Sequence, residues 1–196
     1  YQFLEFGMVN TAIAQQLISS INIYDQDYNR DNPHCVRWAI SLHYVAARIL
    51  LLYGNRQEAL QAFLACAAMD PLAFSPLLTT KILSAAMYAG MIFAGDNRSN
   101  EAAACFRQGM KAAQKALQGN WQHMVGDVEQ PLSFGWQEVA EVADLASQCA
   151  HGLNALERGM AVPGYLWDRL NLRRFGLVEW TKSVEQERSE ERRVGK

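Results

Sequence analysis

The stretch Tyr53-Gly54-Asn55-Arg56-Gln57-Glu58-Ala59-Leu60-Gln61-Ala62-Phe63-Leu64-Ala65-Cys66-Ala67-Ala68-Met69-Asp70-Pro71 decides the fold. Glycine suits the left-handed position just past a helix end, so Gly54 ends one helix. Asn55 with Glu58 reads as a capping-box-like Asn-x-x-Glu pair that starts the next. Ala59 and Cys66 are small enough to let helices approach closely, and Phe63 fills the space between them. Pro71, after Asp70, stops the helix. The stretch predicts a helix, a tight turn and a second helix over about Arg56 to Met69.

The same periodicity extends in both directions. Val36, Trp38, Ile40, Leu42, Val45, Ile49 and Leu52 lie on a helix from about Cys35 to Tyr53. That helix is apolar around much of its circumference, which predicts burial on more than one side. Before it, Phe3, Phe6, Val9, Ile13 and Leu17 stripe a first helix to about Ser20, and the polar run from Asn22 to Asn32 reads as a connection. After it, Ser75-Pro76 opens a fourth helix to about Ala94. A fifth runs from about Asn100 to Leu117 and a sixth from about Gly135 to Arg158. Between these two lies an insertion with Trp121, His123, Gly126 and Pro131. β-branched runs bounded by turn signals are nearly absent, so no sheet is predicted.

Two internal comparisons point to duplication. Glu58-Ala59-Leu60-Gln61-Ala62-Phe63 and Glu101-Ala102-Ala103-Ala104-Cys105-Phe106 share Glu-Ala-x-x-x-Phe, 43 residues apart. Pro71-Leu72-Ala73-Phe74 and Pro131-Leu132-Ser133-Phe134, 60 residues apart, both lead into a helix. A helix hairpin cannot bury its apolar face alone, and stacked neighbours complete the core. The segment from Gly54 through Phe63, Cys66 and Asp70-Pro71 resembles the second half of a tetratricopeptide repeat. The match covers about Val36 to Pro71. A second unit, Pro76 to Leu117, fits less well, with a longer turn after Gly95, Gly109 at the small-residue position and no closing proline. A third has only its first helix. The fold expected is all-α, an antiparallel helix-hairpin array (a TPR-like α-solenoid) of about six to seven helices.

Composition excludes several classes. Among 196 residues the net charge is −2 and half the residues are hydrophobic. A nucleic-acid binder normally carries a basic excess. No apolar run is read as approaching the ~20 residues of a membrane span. Cys35, Cys66, Cys105 and Cys149 are dispersed and read as small packed residues in a reducing, cytoplasmic compartment, not as a zinc or disulfide framework. His34, His43, His123 and His151 form no i, i+4 ligand pair, so no metal and no cofactor is expected. Glu138, Glu141 and Asp144, with Gln137 and Gln148, read as the solvated stripe of the sixth helix. Nucleophile-elbow and phosphate-loop motifs are absent, so no catalytic residue is assigned.

The resemblance implies a groove lined by the first helix of each pair, where a peptide would lie. Arg37, Ser41, Tyr44 and Arg48 fall on roughly one side of the second helix, and Lys81, Ser84 and Tyr88 on the fourth, with Thr80 beside them. Arg48 and Lys81 are placed to hold a peptide carboxylate. Tyr44 and Val45 depart from the carboxylate clamp of chaperone-binding members, so that ligand is not implied. The function expected is a non-catalytic scaffold for a protein or peptide partner.

Three regions are read: a helical repeat domain over 1–160, a charged helical extension or linker over 161–187, and a non-native tail over 188–196. Of the 29 residues from Asp168 to Lys196, 14 are charged. Arg188 to Lys196 resembles translated adapter sequence and is assigned no function. The chain opens at Tyr1 inside an apolar stretch and reads as a fragment, whose cut ends are expected to favour self-association. Leu177 to Arg188 resembles helical linkers of bacterial glycosyltransferases and methyltransferases of surface-polysaccharide synthesis. The alternative it implies is an auxiliary helical region of such an enzyme.

Overall fold

The computed structural model describes residues 11–26, 32–73, 76–118, 122–125, 128–131 and 136–172. Among them are seven α-helices: α1 Thr11–Gln26, α2 Pro33–Leu52, α3 Arg56–Ala67, α4 Thr79–Gly95, α5 Ser99–Gln118, α6 Trp136–Glu157 and α7 Tyr165–Leu172. The chain is all-α, as its periodicity predicts, apart from one short antiparallel hairpin between α5 and α6. Its strands are β1 Gln122–Val125 and β2 Val128–Pro131, with Gln122 opposite Pro131 and Val125 opposite Val128. This corrects the expectation of no strand. In the sequence, two valines flank Gly126-Asp127, a two-residue spacing that favours a hairpin.

Short connections set the order of packing. Tyr53–Asn55 alone joins α2 to α3, and Asp96–Arg98 alone joins α4 to α5, so each pair folds back as neighbours. From α2 to α6 each helix packs on its successor, and α2, α4 and α6 also touch in turn. The first helices of the pairs thus form one layer and α3 and α5 the other. Helix α4 lies at the centre and is buried at every position from Ile82 to Gly90.

Two phenylalanines bind the layers together. Phe63 of α3 stacks on Tyr88 of α4 (ring centroids 4.7 Å apart, 9° between planes) and meets Tyr44 of α2 edge-on at 6.2 Å. Phe106 of α5 is wedged between α4 and α6. A Cβ at Gly90 would lie 2.6 Å from its ring, and one at Gly152 2.7 Å. These glycines are demanded by space, not by backbone conformation. Gly54, by contrast, has φ of +79° in the α2–α3 turn, where Asn55 N–H donates to Leu50 O at 2.9 Å.

Polar ties at the helix ends differ from the expected capping box. The Asn55 side chain makes no capping hydrogen bond. Arg56, the next residue, reaches instead to the end of α4, donating to Ile92 O and Asp96 Oδ1, both at 2.9 Å. Gln108 donates to Ala67 O at the end of α3, and Lys115 to Asp70, each at 2.6 Å. Asp70 also accepts from the Leu72 N–H at 3.0 Å.

Three further readings are corrected. The run from Asn22 to Gln26 is helical, because Ile21 carries the Leu17 stripe on by one turn and is buried. Leu17 and Ile18 pack around Ile49, covering the second side of α2. Gln148 is buried, not on a solvated stripe. It lies one turn from Leu145 and donates to Asp144 at 2.6 Å. Cys35–Leu52 is long and apolar enough to cross a membrane by length and composition, the one such segment among the described residues. In this fold 44% of that segment is buried, with Ala39, Ile40, Ala47 and Ile49 fully so.

Candidate functional site

The face shared by α2 and α4 gathers the polar residues singled out above. Lys81 Nζ donates to Ser41 Oγ at 3.0 Å. Two turns further along, the Arg48 guanidinium lies over the Tyr88 ring, 5.3 Å from its centroid, and donates to Tyr44 OH at 3.5 Å. Both cross-helix pairs lie 40 residues apart, so α2 and α4 run in the same direction in constant register.

The two ends of this face differ. At one end Arg37 is exposed, stacked on Trp38 at 5.3 Å, while Ser41 and Lys81 are half-buried. At the other, Tyr44, Ser84 and Tyr88 are buried and Arg48 is half-buried. Three of the seven groove candidates are therefore out of reach of a ligand in this state. Side-chain spacing gives angular position on a helix but not depth, and at Tyr88 that depth comes from α7. Leu166 and Leu170 of α7 are fully buried, Trp167 meets Tyr88 edge-on at 5.5 Å, and the Tyr88 hydroxyl donates to Leu170 O at 3.2 Å. The sequence reading passed over these residues as part of a charged extension. The signal was present in Leu166 and Leu170, at i and i+4 directly after Pro163-Gly164.

Electrostatics follow from burial. Desolvation pulls the Lys81 ammonium down to about 8. The Cys66 thiol beside it resists, and the Arg37 charge adds to the fall. Burial pushes the Cys66 thiol up to about 12, with Lys81 opposing, and its Sγ contacts Ile40 O at 3.5 Å. Cys149 and Cys105 are raised to about 12 and 11, again chiefly by burial. All four cysteines are free thiols, and these three are poor nucleophiles at neutral pH. The Tyr88 phenol is raised by burial and by Tyr44, against the lowering effect of Arg48.

The other candidates scatter. Glu141 and Asp144 are half-buried on α6, His151 Nδ1 lies 3.0 Å from Tyr165 OH, and His43 is half-buried on α2. The side chains of His34, His123, Gln137 and Glu138 lie outside the described residues, as do Arg188 to Lys196 and the linker-like stretch from Leu177. No group of three metal-ligating side chains occurs among the described residues. Where the end of α3 meets α4 and α5, Met69, Leu72, Ile82 and Ala112 line an open cleft of about 240 Å³ rimmed by Gln108, Lys111 and Lys115, which the sequence analysis does not single out.

Comparison with protein-family models, with curated proteins and with solved structures finds no match.

Proposed function

We propose that the chain is a non-catalytic, cytoplasmic helical-repeat scaffold, tetratricopeptide-like, whose α2–α4 face holds a peptide of a protein partner. The reading is supported by the aromatics of the two Glu-Ala-x-x-x-Phe segments, each of which bridges successive first helices. The observation that carries it is the Lys81–Ser41 hydrogen bond across α2 and α4 with Arg37 one turn away. Two cations and a hydroxyl on one partly exposed face suit a side-chain or terminal carboxylate, which accepts charge-assisted hydrogen bonds from an ammonium and a guanidinium. The buried aromatic half of the same face suits an apolar segment beside that acid.

A random-peptide display library selected on the full chain tests this. Enriched peptides are expected to carry acidic residues and to lose affinity about tenfold or more for the Arg37→Ala and Lys81→Ala variants, the worth of one charge-assisted hydrogen bond. Peptides bound equally by wild type and both variants would refute the reading.

A further inference from the structure

Helix α7 has the form of a ligand. It follows a seven-residue connection, Arg158–Gly164, in which Gly159 takes φ of +66° and Met160 and Ala161 are exposed. Its described part spans eight residues, Tyr165–Leu172. It does not take the place of a second helix paired with α6. Its principal packing is on α4, through Leu166 and Leu170 on one face with Trp167 beside them. A groove that accepts an amphipathic helix reads anchors at i and i+4, and Leu166-Trp167-x-x-Leu170 supplies them. The Tyr88 hydroxyl also grips the α7 backbone at Leu170 O, a contact indifferent to the side chain there. The same Tyr88 ring carries Arg48, so α7 sits at the aromatic end of the α2–α4 face.

We propose that α7 is a displaceable occupant of the aromatic end of the α2–α4 face, seated on α4 at Tyr88, and that the partner it stands in for is an amphipathic helical segment with a Leu-Trp-x-x-Leu pattern. This rests on the peptide-binding reading above and adds partner chemistry and regulation. An incoming helix must displace α7, so the apparent affinity of the intact chain is reduced by the fraction of time that α7 is docked. Loosening α7 raises affinity without adding a contact.

The test uses the full chain and a fluorescein-labelled synthetic peptide spanning Pro163–Leu172, followed by fluorescence anisotropy. A Leu166→Asp/Leu170→Asp variant is expected to bind this probe about tenfold more tightly than wild type, with Trp167→Ala between them. Circular dichroism checks that helicity is kept. If the double variant loses it, Trp167→Ala and hydrogen exchange on the unmodified chain decide. In the unmodified chain the amides of 166–172 are expected to exchange about tenfold or more faster than those of α4, because local opening frees them. Exchange of α7 together with α4, or no gain in affinity for either variant, would overturn the proposal. If that happens while Arg37→Ala and Lys81→Ala still weaken selected peptides, α7 is a structural part of the core and the peptide-binding reading stands. A gain in the α7 variants with no effect of Arg37 or Lys81 would keep the displaceable helix and remove the acidic partner.

Discussion

Gly90 and Gly152 sit inside helices, where alanine is ordinarily the better residue by about 1 kcal/mol. Here the sign reverses, because a methyl group at either position meets the Phe106 ring at under 3 Å. Gly90→Ala and Gly152→Ala are each expected to cost about 1–3 kcal/mol. Thermal unfolding checks this, at about 2–4 °C for each kcal/mol. Gly164→Ala, with nothing within 4 Å, serves as a near-neutral control. Lys81 gives a pH prediction. Its ammonium titrates near 8 in the fold against 10.5 when solvated, so between these values the unfolded state binds more protons and stability rises with pH. Cys66 works the other way, since its raised thiol stabilises the fold below pH 9 and loses that contribution between 9 and about 12. The comparison that isolates Lys81 is with Lys81→Met. The melting-temperature advantage of that variant over wild type is expected to shrink as pH rises from about 7 to 9.5, and a constant difference would contradict the buried ammonium. At this scale the sequence was legible where chemistry repeats. Phe63 and Phe106 stand out because the same six-residue pattern frames both. Tyr44 and Tyr88 were read on the right face but not as buried: Tyr88 is covered by α7, more than 75 residues further along, and Tyr44 packs edge-on against Phe63.

Helices were the most legible elements, because Ala- and Leu-rich periodic runs end at visible stops such as Gly54 and Asp70-Pro71. Ends fixed by tertiary contacts were not. The Asn55–Glu58 pair looked like a cap, but the strong polar tie at that corner is Arg56 reaching to the carbonyl of Ile92. No local pattern announces a partner 36 residues away. Arg56→Ala is expected to cost about 1 kcal/mol. Most of that comes from the carbonyl at the α4 terminus, because the exposed ion pair with Asp96 is worth little. Denaturant unfolding at low and at molar salt separates the two. A cost abolished by salt would assign the whole effect to the ion pair. A charged helical extension was read over 161–187, but not that its start, α7, packs into the core through Leu166 and Leu170, because the charge-rich composition outweighs two leucines. The β1–β2 hairpin escaped notice because four-residue strands are too short to register against the helices on either side.

For the whole molecule, the parallel run of α2 and α4 in constant register gives the face its shape. It places a cationic, partly exposed end beside an aromatic end that α7 covers at Tyr88. Phe63 connects α2, α3 and α4, so Phe63→Ala is expected to cost about 3–5 kcal/mol and to lower the single unfolding transition as a unit. Two separate transitions would show that the helices do not share one core. The all-α architecture was anticipated from residue patterns, whereas a face shared by α2 and α4 was implied only by the tetratricopeptide resemblance. Lys81 lies on Ser41, two turns away from Arg48, with which it was expected to act. The depth of the site was not anticipated, because at Tyr88 it depends on which distant helix returns to cover it. The most direct test of the central claim is amide chemical-shift mapping on the full chain, titrated with an acidic peptide selected from the display library. The account predicts perturbations concentrated in 37–48 and 80–88, with loss of α7 contacts. Perturbations confined to the cleft around Met69, Leu72, Lys111 and Lys115, with 37–48 unchanged, would contradict it.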